Sequence, residues 1–77
     1  MNIRETIANN IRYYRIKNKW TQEELASRLG TTPTYISSIE NAKRNMRIDY
    51  IEYIASILEI KVIDMLVKRE LVNKRVR

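Results

Sequence analysis

The chain has 77 residues, with fifteen Lys or Arg against nine Asp or Glu, a net charge of +6, and neither Cys nor His. That composition excludes disulfides, zinc fingers, thiol nucleophiles and imidazole bases, while the charge balance favours polyanions or anionic membrane surfaces as partners. A domain this short buries only about 60% of its unfolded surface, so a second subunit would strengthen a marginal core.

No apolar run approaches the roughly 20 residues of a membrane span, and Met1, Asn2, Ile3, Arg4 and Glu5 do not begin a signal peptide. The absence of Cys fits a reducing compartment, so the expectation is a cytoplasmic protein. One glycine and one proline are too few for a sheet and its turns. The reading is all-α: five helices in a compact bundle over residues 1–72, then a basic, disordered tail at 73–77.

The first helix is expected over about residues 3–18, with Ile3, Ile7, Ile11 and Tyr14 on its buried face and Arg4, Arg12 and Arg15 elsewhere. Trp20 follows as a core residue beneath the second helix. Thr21 with Glu24 makes a capping box for that helix, and Thr32 with Pro33 reads as the N-cap and first position of the third. Leu25 and Leu29 form one apolar stripe, Ile36 and Ile39 another. Ala26 is small where the helices must approach, and Gly30 stands where the chain reverses at positive φ.

Residues 22–41 therefore read as a helix-turn-helix, the device that lays its second helix in the DNA major groove. A plain structural hairpin could carry any one of these signals. Their joint occurrence at fixed offsets, with Pro33, Thr34, Ser37 and Ser38 facing outward, favours DNA binding. Residues 42–47 form a basic loop, and Ile48, Ile51, Ile54, Ala55 and Leu58 mark a fourth helix. In a fifth, Ile60, Val62, Ile63, Met65, Leu66, Val67, Leu71 and Val72 are too many apolar residues for one buried side. Ile60, Ile63, Met65, Val67 and Leu71 are assigned to a homodimer interface.

From residue 7 to about residue 66 the chain resembles the phage lambda repressor and Cro type of helix-turn-helix domain. The resemblance is carried by I-A-N-N-I-R-Y-Y-R, W-T-Q-E-E-L-A, Y-I-S-S-I-E-N-A-K-R-N and I-A-S-I-L-E-I-K-V-I-D-M-L. Within that superfamily it is most similar to the controller proteins of restriction-modification systems, short stand-alone dimers that regulate transcription of the endonuclease gene. T-Y-I-S-S-I-E-N-A-K-R-N, L-E-I and D-M-L-V-K-R-E-L support the narrower likeness, and antitoxins and phage or mobile-element repressors share the first of these. The sequence departs from the wider family at Lys19, Ala42 and Glu59, helix ends where glycine is common. Asn18 and Asn41 tolerate a left-handed conformation better, so two of these caps are expected to shift by one residue.

What the resemblance implies is a homodimer on double-stranded DNA, binding a pseudo-palindrome. It assigns Gln22, at the start of the second helix, to a phosphate, and the first-turn N–H groups there favour an anion as well. Thr32, Pro33, Thr34, Ser37 and Ser38 are expected at the groove, although Ser37 has the alternative of bonding its own helix. None of them can make a two-pronged contact to guanine or adenine. By the controller likeness Arg44 is the guanine-contacting residue. Arg15, Lys17, Tyr35, Asn41, Lys43, Asn45 and Arg47 join Gln22 as phosphate candidates, with Arg12 and Lys19 in the same acid-free run. No cofactor, metal, membrane or small-molecule partner is expected. Without His, Cys or a carboxylate pair near a glycine-rich loop, no enzymatic site is visible, and no aromatic platform suggests RNA.

Overall fold

A computed structural model describes residues 2–71. They form four α-helices, α1 (Ile3–Lys17), α2 (Gln22–Leu29), α3 (Pro33–Glu40) and α4 (Ile48–Leu58), and one 3-10 turn over Val62–Leu66. No strand occurs among the described residues. Val72 and the tail expected to be disordered, 73–77, lie outside them.

Three helices start on side-chain caps. Asn2 and Glu5 make a reciprocal capping box for α1, Thr21 and Glu24 make one for α2, and the Thr32 hydroxyl accepts the Tyr35 N–H ahead of α3, whose first residue is Pro33. Each orphan N–H so satisfied stabilises a helix start by about 1 kcal/mol. The four C-termini share one closure. The N–H groups of Lys19 and Trp20, Gly30 and Thr31, Ala42 and Lys43, and Glu59 and Ile60 return to carbonyls of the preceding turn in paired Schellman bonds. This closure needs a left-handed residue, and φ is 72° at Gly30, 61° at Lys19, 59° at Ala42 and 57° at Glu59. Asn18 and Asn41 are thus the C-cap positions of α1 and α3, but the left-handed residue does not move onto them and stays at Lys19 and Ala42. Asn18 and Asn41 stay at negative φ and donate their side-chain amides back to the carbonyls of Tyr14 and Ser37.

The core gathers Ile7 and Ile11 of α1, Leu25, Ala26 and Leu29 of α2, Ile36 and Ile39 of α3, Ile51, Ile54, Ala55 and Leu58 of α4, and Met65. Ile3 and Ile48, placed on buried stripes by their spacing, are exposed, because each sits in the first turn of its helix beyond the reach of the bundle. Trp20 is only half-buried. Its inner part packs on the core while the Arg28 guanidinium lies 4.1 Å from the ring centre.

The expected fifth helix is replaced by the 3-10 turn and then by extended chain from Val67. Two causes act together. Ile60, Val62, Ile63 and Val67 are β-branched and weak helix formers. In addition, side-chain amides of α1 take the carbonyls that a helix would use: Asn10 donates to Met65 and Val67 at 2.8 Å each, and Asn9 donates to Glu70 at 3.0 Å. Arg69 completes the attachment, giving Nε to Asn10 Oδ1 and Nη2 to the Tyr14 hydroxyl with its guanidinium 4.3 Å from the Tyr13 ring. The chain end is thus a strap along α1. Met65, expected at a dimer interface, is fully buried under it and cannot meet another chain. Ile60 is half-buried against the core, whereas Ile63 and Leu71 are 67% and 71% exposed and Val67 and Leu66 are exposed beside them.

Candidate nucleic-acid interface

The α2–α3 hairpin presents one end of α3 to solvent and fixes the other from behind. Gly30 turns the chain at positive φ, and a Cβ there would meet no atom within 4 Å, so backbone conformation and not crowding selects glycine. Thr32, Pro33 and Thr34 are exposed at the N-terminus of α3, and Ser37 and Ser38 are half-buried one turn later. The back-bonding expected of Ser37 is found at Ser38, whose hydroxyl donates to the Tyr35 carbonyl at 2.7 Å. Ser37 Oγ instead accepts from the Asn41 amide at 3.3 Å.

Behind α3 lies a buried carboxylate that the sequence reading did not single out. Glu40 Oε2 receives Arg15 Nε at 2.7 Å, and its Oε1 receives Arg15 Nη2, Arg12 Nε and Gln22 Nε2, each at 3.1 Å. Arg15 Nη1 donates onward to the Trp20 carbonyl at 2.8 Å. One carboxylate thereby ties α1, the start of α2 and the end of α3 together. Arg15 is 0% exposed and Arg12 is buried, so neither can reach a phosphate. This corrects the phosphate role given to Arg15 and the surface placing of both arginines. The signal was present in the spacing, since Arg15 continues the Ile7–Ile11 stripe by four residues and Glu40 continues Ile36 by four. Charged residues on a buried stripe need each other.

Gln22 is half-buried at the N-terminus of α2. Its amide carries two N–H groups; one is bound to Glu40, and the other stays available beside the helix N-terminus. Lys17 is exposed, with its ammonium 5.9 Å from the rings of both Tyr13 and Tyr14.

The loop after α3 is exposed at Lys43, Arg44, Asn45 and Arg47, and half-buried at Asn41. Arg44 folds back on α3, its Nε 2.9 Å from Ser38 Oγ and its guanidinium carbon 4.9 Å from the Tyr35 ring centre. Arg47 pairs with Asp49 at 3.3 Å on the open surface. The half-buried Tyr35 ring meets the edge of Tyr50, which in turn leans on Tyr53, and with Asn45, Met46, Arg47 and Asp49 these rings line an open cleft of about 510 Å³. Burial raises the Tyr50 hydroxyl above its usual pKa, and the neighbouring Tyr35 and Tyr53 add to the shift. Among the described residues no cluster of His, Cys, Asp or Glu could hold a metal, and no helix is long and apolar enough to cross a membrane.

A helix-turn-helix family model matches residues 11–64, a span that runs from the middle of α1 through the 3-10 turn. The chain belongs to the helix-turn-helix family. Within it, the chain is 36% identical over 75 residues to the control protein C.SmaI of Serratia marcescens, covering 97% of this chain and 89% of that one. It is 38% identical over 66 residues to the control protein C.BamHI of Bacillus amyloliquefaciens, covering 84% and 82%. Among solved structures, the hypothetical transcription factor NHTF from Neisseria superposes with a TM-score of 0.82 at 32% identity, over 90% of this chain and 79% of that one. The restriction-modification controller protein C.Esp1396I, solved as a tetramer in complex with its natural 35 base-pair operator, superposes with a TM-score of 0.74 at 29% identity, over 88% and 99%. The resemblance to lambda repressor and Cro type domains, and to controller proteins within them, is thus shown across the helix-turn-helix and its flanking helices.

Proposed function

We propose that the chain is a sequence-specific DNA-binding regulator of transcription of the restriction-modification controller type, acting in the cytoplasm as a homodimer and without catalysis. The observation that carries this reading is the outward end of α3. Thr32, Pro33 and Thr34 stand exposed at the N-terminus of a helix whose C-terminus is locked by Glu40, with Arg44 folded alongside. In the proposed complex α3 enters the major groove and a pseudo-palindromic operator carries half-sites about 10 base pairs apart.

The groove contacts fall to Thr32, Pro33, Thr34, Ser37 and Arg44. The α3 residues are too small for two-pronged contacts, so they read thymine methyls, single acceptors and DNA shape, while Arg44 reads guanine. Gln22, Lys17, Tyr35, Asn41, Lys43, Asn45 and Arg47 supply the phosphate contacts. The exposed Ile63, Leu66, Val67 and Leu71, with Ile60 at their edge, supply the apolar surface for the second copy.

Selection from random DNA followed by binding measurements tests the reading. Arg44→Ala is expected to weaken the selected site more than random DNA, and Lys43→Ala to weaken both alike. If roughly 6 to 10 phosphates are neutralised, affinity falls about 10³- to 10⁵-fold between 50 and 200 mM salt. Failure to enrich any site, or affinity indifferent to salt, would overturn it.

A further inference from the structure

One hydrogen bond and one ring contact hold the Arg44 guanidinium alongside α3 and leave its two terminal nitrogens facing outward. Ser38 gives its hydroxyl proton to the Tyr35 carbonyl at 2.7 Å, which commits the hydroxyl as a donor to its own helix and leaves its lone pairs outward. One of these receives Arg44 Nε at 2.9 Å. The Tyr35 ring, 4.9 Å from the guanidinium carbon, draws the cation toward its electron-rich face. Neither terminal nitrogen of Arg44 has a protein acceptor among the described residues. Arg47, by contrast, already holds the Asp49 carboxylate, so it brings a negative charge with it.

A guanidinium offers two paired edges, Nε with one terminal nitrogen or the two terminal nitrogens together. Ser38 occupies Nε and removes the first. The second is the fork that matches O6 and N7 of guanine in the major groove. We infer that Ser38 is a positioning residue that presents the terminal fork of Arg44 to guanine before DNA arrives, so base preference at that position depends on the Ser38 hydroxyl. The inference rests on the DNA-reading role proposed above. It assigns Ser38 a place behind the reading side chain and not at the base itself. An arginine held in one arrangement loses less freedom on binding than a free one, a difference of roughly three- to tenfold in affinity for the correct base.

The test compares the full chain with Ser38→Ala, Ser38→Thr and Arg44→Ala on the selected operator. A second operator carries 7-deazaguanine in place of the guanine whose preference depends on Arg44; this analogue lacks the N7 acceptor but keeps its pairing. Ser38→Ala is expected to reduce the ratio of affinities for the two operators about three- to tenfold, with binding to random DNA and melting temperature unchanged. Ser38→Thr, which keeps the hydroxyl, restores the ratio. Full discrimination in Ser38→Ala alongside its loss in Arg44→Ala overturns the positioning role and leaves the guanine contact standing, as do equal losses by Ser38→Ala on specific and random DNA. Absence of any guanine whose preference depends on Arg44 overturns both.

Discussion

The α2–α3 hairpin and the segment after α4 both carry apolar residues at helical spacing, yet only the hairpin is α-helical, the later segment making a short 3-10 turn and then extended chain. The hairpin has its own start and stop chemistry: a capping box at Thr21, an N-cap with proline at Thr32 and Pro33, and glycine in the turn. The segment after α4 has none of comparable strength. Its one local bond of this kind runs from the Lys61 N–H to Asp64, and its later carbonyls go to asparagines of α1. Spacing alone therefore tells which residues share a face, while caps and competing side-chain partners decide whether that face is built on a helix.

The two regions are also held by different chemistry, a buried ion cluster on one side and, on the other, asparagine amides with an arginine that has no carboxylate in its contacts, and each can be broken separately. The largest effect is expected from Glu40→Ala, which strands Arg12 and Arg15 in the interior. Removing one partner of a buried ion pair costs about 3–5 kcal/mol, enough to consume most of the stability of a small domain. Urea unfolding measures it, and a loss below about 1 kcal/mol would mean the arginines find water or other partners. Asn10→Ala comes next at about 1–3 kcal/mol, since it leaves the Met65 and Val67 carbonyls without their donor. Hydrogen exchange should rise in the strap while the hairpin amides stay protected. Uniform deprotection of both would show that strap and hairpin unfold as one unit.

Smaller and opposite in sign is Ala42→Gly, at the left-handed residue closing α3. Relief of the Cβ clash is worth about 1 kcal/mol, seen as a higher melting temperature. The smallest effect concerns Glu24, whose pKa is lowered chiefly by the Thr21 backbone N–H, then by the Thr21 side chain and the Arg28 charge. A lowered folded-state pKa gives stability that is present above the ordinary value of 4.5 and lost as pH falls through the lowered one. Glu24→Gln should flatten that acid-side decline slightly, and an unchanged pH profile would show the box contributes no charge-dependent stability.

Much of the hairpin was legible because its signals are local. Thr21, Glu24, Thr32, Pro33 and Gly30 each act within a few residues, and the structure places each in the role its spacing implied. Lys19, Ala42 and Glu59 were recognisable as positions that want glycine; that they keep the left-handed turn against their own Cβ was not, because the paired bonds enforcing it belong to the whole helix end. Arg12, Arg15 and Glu40 were misread or missed because their partnership spans 25 residues or more of sequence, and charge alone points to the surface. Met65 was misplaced for a similar reason: the asparagines that bend the strap over it sit 55 and more positions away.

The Glu40 cluster also bears on how the protein's charge is spread. Two guanidinium groups share one carboxylate out of contact with solvent, so a unit of positive charge is carried inside the domain, next to Gln22 at the start of α2. Its field reaches the Gln22 amide at the start of α2, and a salt titration of DNA binding is expected to report mainly on the exposed lysines and arginines and little on these two.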